Sequence, residues 1–572
     1  MIQNSVHSHR LAWLAVLPLL AVCGSSKALA LQLDSASEAP GTLRPEYVPG
    51  WNRAPVQREL NLLYDPAMSE TDNGDRLKDQ FEALLPGDLL RVGPGRWSVN
   101  SFFQVDLQGT AAAPIRIIGE PGAILTRPNE WQNAINFGST TAAATSYLLF
   151  RGFEVTNGSY GIRLQNVDNL WIDQCHVHGV RAVGIGANSH HTNALYVTRC
   201  EVHDTASTGE GMYLGGNNAS AICSNAVIAL NHVHDTGGSQ GDGIELKQGS
   251  HGCLIAENLI HGTNYPGLLV YGTDGNPVNI IESNVIWDTV SNPFQVQGEA
   301  IVRNNLIFAA NSAALQSGPH QDATTNLKII GNTFIARGSE AAFLRSWGGK
   351  PGMVLANNVF YCEAGEAVHV NGGLAGVVVA SNVALGPVWG IPMTGFSQGA
   401  GLSDFIDVTW DGTHRDARPT GQSALNRPTL SHPDWTRDLT GAIRPLNPRI
   451  GALEPGTYGR YLGFWTPTSP RLRTRFPLVA GMPSYSVTVE GAPPFSSVWL
   501  GSEILEQSAV GGTQQGSPIV FRAATTDATG RAVITLDPAL LPTNPGDSLQ
   551  IRAMTRTPSG PLFTRRMIAT AK

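Results

Sequence analysis

The sequence predicts an all-β fold: a right-handed parallel β-helix, with an N-terminal capping helix and a small C-terminal β-sandwich. Three observations carry this. First, nine segments from WIDQCHVHGV to VVASNVALGP repeat one pattern, placing Cys175, Cys200, Asn231, Asn258, Asn284, Asn305, Asn332, Asn358 and Asn382 in a single column. Second, their spacings of 25, 31, 27, 26, 21, 27, 26 and 24 residues give a period in the twenties that tolerates insertions, as in a solenoid whose repeat is one coil of strands. Third, β-branched residues alternate within each segment, which is the period of a strand. The recurring Asn reads as a ladder of side-chain amides bonded from coil to coil inside a bend.

The chain of 572 residues can hold two or three domains. His7, His9 and Arg10 precede an apolar run from Leu11 to Val22, and Ala28 and Ala30 follow as a small-x-small cleavage site. Residues 1–30 therefore read as a signal peptide, and a secreted protein (periplasmic or extracellular) is expected. The run is too short to span a membrane, and no later stretch is long enough. Residues 31–74 read as an N-terminal extension lying on the body. A helix is expected over 75–85, with Leu77, Phe81, Leu84 and Leu85 on one face, closing the open end of the solenoid. The β-helix domain is assigned to 75–455, ending in the closing segment LTGAIRPLNPRIGALEP. A Pro/Ser/Thr linker follows over 456–473, and alternating strands over 474–572 form the β-sandwich.

Cys175, Cys200, Cys223, Cys253 and Cys362 remain after the leader, an odd number at irregular spacing and no disulfide framework. Cys175 and Cys200 share a column and would stack about 4.8 Å apart as buried ladder members, with a bridge the lesser reading. No Cys/His spacing matches a zinc site. A formal charge of -7 argues against a nucleic-acid partner. A monomer is expected.

A second strand in each coil also aligns: GIRLQN, GIGANS, GMYLGG, GIELKQ, GLLVYG, FQVQG, AALQSG, AFLRSW and AVHVNG. Alternation sends Ile162, Ile185, Met212, Ile244 and Leu268 inward. One outward column then holds Arg163, Gly186, Tyr213, Glu245, Leu269, Gln295, Ala314, Phe343 and His369. The next holds Gln165, Asn188, Gly215, Lys247, Tyr271, Gln297, Gln316, Arg345 and Asn371. Rows of amides and aromatics suit a long sugar chain, bonding its hydroxyls and stacking on its rings. Arg163, Gln165, Asn188, Gln295, Gln297, Gln316, Arg345 and His369 are the expected substrate-binding residues, Arg345 and His369 in a distal subsite.

GDGIELKQG concentrates the chemistry. Glu245 and Lys247 share one face, Asp242 sits at the preceding bend stacked on Glu210 of the coil before, and Tyr213 and Tyr271 flank them. The bland alternative is an exposed ion pair of little energetic weight beside two bend residues. Stacked carboxylates raise each other's pKa unless a cation lies between, so Glu210, Asp242 and Glu245 are the expected ligands for Ca²⁺. Lys247 would abstract the C5 proton of a uronate, and Tyr271 or Tyr213 would protonate the departing glycosidic oxygen, which is β-elimination.

At these residues the chain resembles the secreted β-helix polysaccharide lyases of the chondroitinase B and alginate lyase type. The resemblance covers the opening, ALLPGDLLRVGPGRW then GTAAAPIRIIGEPGA, and the coil bearing Lys247. In that family an acidic calcium ligand precedes the catalytic lysine by five residues, which Asp242 and Lys247 match. The chain departs from it in carrying Tyr271 where the family has an arginine on the next coil, and Gln240 where it usually has a second acid. The resemblance implies a lyase acting on an acidic, uronate-containing polysaccharide.

Three alternatives accompany the lyase: a uronate C5-epimerase sharing its first step, a glycoside hydrolase using Asp242 and Glu245, and a non-catalytic glycan-binding solenoid. The column His178, His203, His234 and His261 continues as Trp287, Phe308, Ile335, Tyr361 and Leu385, and reads as a stacking row at a bend, with Asp204 and Asp235 as turn formers.

Overall fold

The computed structural model describes residues 44–139 and 143–455, and the backbone of nine strands between 471 and 570. The segment read as a signal peptide, the part of the expected extension before residue 44 and most of the expected linker lie outside the described residues.

One coil shows the plan. Val167–Asp173 lies in a first sheet, His176–Val180 in a second and Ile185–Ala187 in a third. Each strand pairs in parallel with its counterpart one coil on. The three sheets contain fifteen, thirteen and twelve strands, and the coils form a right-handed parallel β-helix. Inward residues of successive coils, such as Val177, Val202, Val233, Ile260 and Ile286, are all fully buried. They form one continuous apolar column that no single coil could bury alone.

The bend between first and second sheets holds the predicted ladder. Asn258 Nδ2 donates to Asn284 Oδ1 at 2.9 Å and to the Ile228 carbonyl at 2.9 Å, and Asn284 Nδ2 likewise donates to Asn305 Oδ1 at 2.9 Å and to the Ile255 carbonyl at 3.0 Å. The Asn284 carboxamide oxygen also accepts the Asn258 backbone N–H at 3.1 Å, so one side chain satisfies two main-chain groups of the preceding coil. The residue before each column member is in the left-handed region, from Gln174 (φ 54°) and Arg199 (57°) through Leu230 (63°) and Glu257 (55°) to Ser381 (54°). Cys175 and Cys200 occupy the first two places as buried free thiols, as do Cys223, Cys253 and Cys362 elsewhere.

The capping helix spans Glu70–Glu82, earlier than the apolar pattern placed it, because Ser69 caps it by accepting the Asp72 N–H at 3.0 Å. Its Phe81 packs on Phe103 at 5.5 Å, over the open end of the core. The first sheet begins before the helix, at Arg58–Leu62, which pairs with Asp88–Val92. Part of the segment read as an extension is thus a solenoid strand. Ahead of that strand, Tyr47 and Trp51 lie buried on the outer face of the first sheet.

After the last coils, residues 402–455 run along the outside of the second sheet. Phe405, Val408, Ala417, Leu425, Leu439 and Ile450 bury Trp287, Phe308, Ile335 and Tyr361 in a second apolar core. The closing segment is therefore part of a strap along the flank. The histidine column runs down the outer face of the second sheet's strands, not at a bend. It becomes Trp287 and Phe308 where the strap covers the sheet. Between 471 and 570 the strands form two antiparallel sheets of three and six strands, an all-β module as expected from their alternation.

Candidate active site

The third sheet carries the site. Its register stacks Arg163 on Gly186, Gly186 on Tyr213, Tyr213 on Glu245 and Glu245 on Leu269, as the alternation predicts. Glycines make the preceding bend tight. A Cβ on Gly211 would come within 2.6 Å of the Gly243 carbonyl, and one on Gly243 within 2.4 Å of the Gly267 carbonyl. These close contacts set Glu210 and Asp242, one residue upstream on adjacent coils, against each other.

Glu245 and Lys247 form an ion pair, but not an exposed one: the two residues are 4% and 7% accessible. The Lys247 ammonium lies 4.9 Å from the centre of the Tyr213 ring and 5.1 Å from that of Tyr271. Glu210 and Asp242 are also buried, and Glu210 Oε2 and Asp242 Oδ1 have no hydrogen-bond partner. Burial, then the charges of Glu245 and Glu210, push the Asp242 carboxyl up to about 9. Burial likewise raises Glu210, and raises Glu245 against the opposing pull of Lys247. The phenols of Tyr213 and Tyr271 are raised by burial and then by Glu245, so both remain protonated.

As to the expected Ca²⁺, Glu210 and Asp242 offer unpartnered hard oxygens, which suit that ion. Glu245 departs from the expected set, because Lys247 and Tyr271 engage its carboxylate.

The outward rows follow the predicted register with one correction. Gln316 stacks on Gln295 and under Phe343, in the Glu245 column, while Ala314, expected to face outward, is fully buried. The strand enters two residues later than its sequence suggests. Gln297 and Arg345 belong to the Lys247 column, and Phe343, His369 and Trp389 continue the other. Upstream, Arg163 lies over the Tyr160 ring at 4.4 Å and Asn188 donates to the Tyr160 hydroxyl at 3.3 Å. Gln165 lies half-buried between them and the bend. Arg345 is not remote from the centre: with Tyr271, Gln295, Gln297, Gln316 and His320 it lines one recess. His369 stays apart, bonded to Glu366 at 2.6 Å and 4.4 Å from the Trp389 ring.

The sequence reading missed His320. It sits in the insertion GPHQDATTN between two coils, and its ring lies 5.1 Å from that of Tyr271. Burial, then Lys247 and Arg345, lower its pKa, so it is a neutral imidazole at the mouth of the site. Its coil, 27 residues from Asn305 to Asn332, has an ordinary length, so the spacing held no signal for it.

A family model described as "Right handed beta helix region" matches residues 130–286 and 242–398. No curated protein matches the chain. Among solved structures, an alginate lyase from Paenibacillus sp. str. FPU-7 is 14% identical, covering 51% of this chain and 94% of its own, with a TM-score of 0.32. A mannuronic acid specific polysaccharide family 6 lyase from human gut microbiota is 11% identical, covering 60% and 91%, with a TM-score of 0.29. Tailspike protein 3 of bacteriophage CBA120 is 15% identical, covering 59% and 54%, with a TM-score of 0.34. At these identities the likeness is one of fold alone.

Proposed function

We propose that the chain is a secreted polysaccharide lyase that cleaves a uronate-containing polymer by β-elimination at Lys247. One observation carries the reading: a buried lysine, paired with a buried carboxylate, is held between two tyrosine rings in the middle of a face lined with amides and aromatics. Structural ion pairs of this kind do occur, but rarely beside two further carboxylates with unpartnered oxygens.

Glu245, raised by burial against the pull of Lys247, holds Nζ in place, and Lys247 acts as the base in its neutral form. Lys247 Nζ removes the C5 proton, and the electrons of that bond form the C4–C5 double bond as the C4–O bond breaks. Tyr271 or Tyr213, kept protonated, gives its proton to the departing oxygen. Glu210 and Asp242 would hold a Ca²⁺ whose charge offsets that of the substrate carboxylate. Gln295, Gln316, Gln297 and Arg345 bind the chain along successive coils.

A second reading rests on Asp242. A carboxyl held up to about 9 is protonated at neutral pH, as the general acid of a glycoside hydrolase must be, with Glu210 as its partner. Mass spectrometry of products from alginate, chondroitin, hyaluronan and pectin separates the two. A lyase leaves a dehydrated, unsaturated uronate at the new end, and a hydrolase adds water. Intact polymer throughout the panel would contradict both.

A further inference from the structure

We propose that the outer face of the second sheet, beyond the strap, carries two three-histidine sites for a divalent transition metal such as Zn²⁺. The first comprises His176, His178 and His203, the second His232, His234 and His261. In each set the candidate ligand nitrogens all lie within 4.8 Å of one another.

The sets are built the same way. A His-Val-His strand sends both imidazoles to one face, because alternate residues of a strand share a side. The parallel register then stacks a third histidine from the next coil on the second: His203 on His178, and His261 on His234. His176 Nε2 approaches His203 Nε2 to 2.7 Å, and His232 Nε2 approaches His261 Nε2 to 2.9 Å. The same constellation thus recurs two coils apart, in register. Glu201 lies between the sets, 3.3 Å from His234 Nε2 and 3.5 Å from His232 Nδ1.

The surroundings suit metal ligation. Asp204 bonds His203 Nδ1 at 2.8 Å, which leaves its Nε2 lone pair facing His176, and Asp235 bonds His234 Nδ1 at 2.8 Å, so that its Nε2 faces Glu201. Carboxylates orienting ligand imidazoles through the far nitrogen are a common outer shell of metal sites. Glu154 approaches His178 at 3.3 Å on the remaining side. Metal–imidazole bonds of about 2.0–2.1 Å put ligand nitrogens about 3.3 Å apart, so the two close pairs need only to open slightly. Three nitrogens leave a fourth position for Glu201, water or an outside ligand. No linear spacing reveals these sites, since His203 and His261 come from the next coil, 25 and 27 residues beyond His178 and His234.

The test is Co²⁺ titration of the full chain after chelation, read by visible ligand-field absorption, with Zn²⁺ competition for stoichiometry. Two equivalents with the intense bands of four-coordinate nitrogen ligation are expected. The double variant His176→Gln/His178→Gln should bind one fewer, and His232→Gln/His261→Gln should likewise bind one fewer. Circular dichroism in chelator checks that both variants keep the strand signal, and a Trp435→Ala chain, altered within the strap, should retain both equivalents. Absence of the bands, or the same stoichiometry in wild type and both double variants, would overturn the proposal.

Discussion

Asp242 shows how burial redefines a residue. Its carboxyl is pushed up to about 9, whereas in an unfolded chain it ionises near pH 4. The native state therefore holds a proton that the unfolded state releases between those values, and folding stability falls as pH rises through that window. Asp242→Asn should remove this fall: its melting temperature should exceed that of wild type at pH 8 by more than at pH 5, in the presence of chelator. Equal gains at both pH values would mean the carboxyl is ionised in the native protein. At this scale much of the site was legible. Alternation alone put Tyr213, Glu245 and Lys247 on one face, because a strand has only two sides. Burial was not legible, since it depends on loops such as that of His320 closing over the face. An exposed Lys247–Glu245 pair therefore stood as the bland alternative to a catalytic one.

At the scale of the coil, the asparagine ladder supplies what the bend lacks. Leu230 and Glu257 adopt left-handed backbone that such residues rarely visit, and the amide stack holds them there. Asn284→Ala would orphan the Asn258 N–H and the Ile255 carbonyl, at about 1–3 kcal/mol for each buried group. Denaturant unfolding should show the loss, and Asn284→Asp should recover only the acceptor half. The ladder was legible because Asn recurs. The left-handed residue before it was not, because Gln, Arg, Leu, Glu, Ser and Gly all occupy that position. The ladder also contained the remedy for the one register error. Leu268, Phe294, Leu315 and Ala342 each stand ten residues after a ladder Asn, and that constancy places Gln316 correctly.

Across the whole molecule, the second sheet has two outer faces of different chemistry. Where residues 402–455 cover it the column is Trp287, Phe308, Ile335 and Tyr361, and beyond them it is histidine. Arg415 lies 3.9 Å over the Trp287 ring, at the boundary. The strap has its own apolar contacts and should open as a separate unit. Leu439→Ala, at a fully buried position, should cost about 2–5 kcal/mol and speed amide exchange in 402–455 while the coils stay protected. Uniform loss of protection would show one cooperative unit instead. The solenoid was legible from its period, whereas the strap has none and its partners lie from 43 residues upstream (Tyr361 with Asp404) to 140 (Asn304 with Arg444).

The central claim is that Lys247 removes a proton from a uronate. The direct measurement is ultraviolet absorbance during incubation with uronate polymers, with and without chelator, for wild type and Lys247→Ala. The account predicts a rising unsaturated-uronate signal, weakened by chelator, that Lys247→Ala lowers by about 10²–10⁴-fold while circular dichroism shows the strand signal retained. An undiminished rise in Lys247→Ala, or a flat wild-type trace accompanied by new reducing ends, would contradict it.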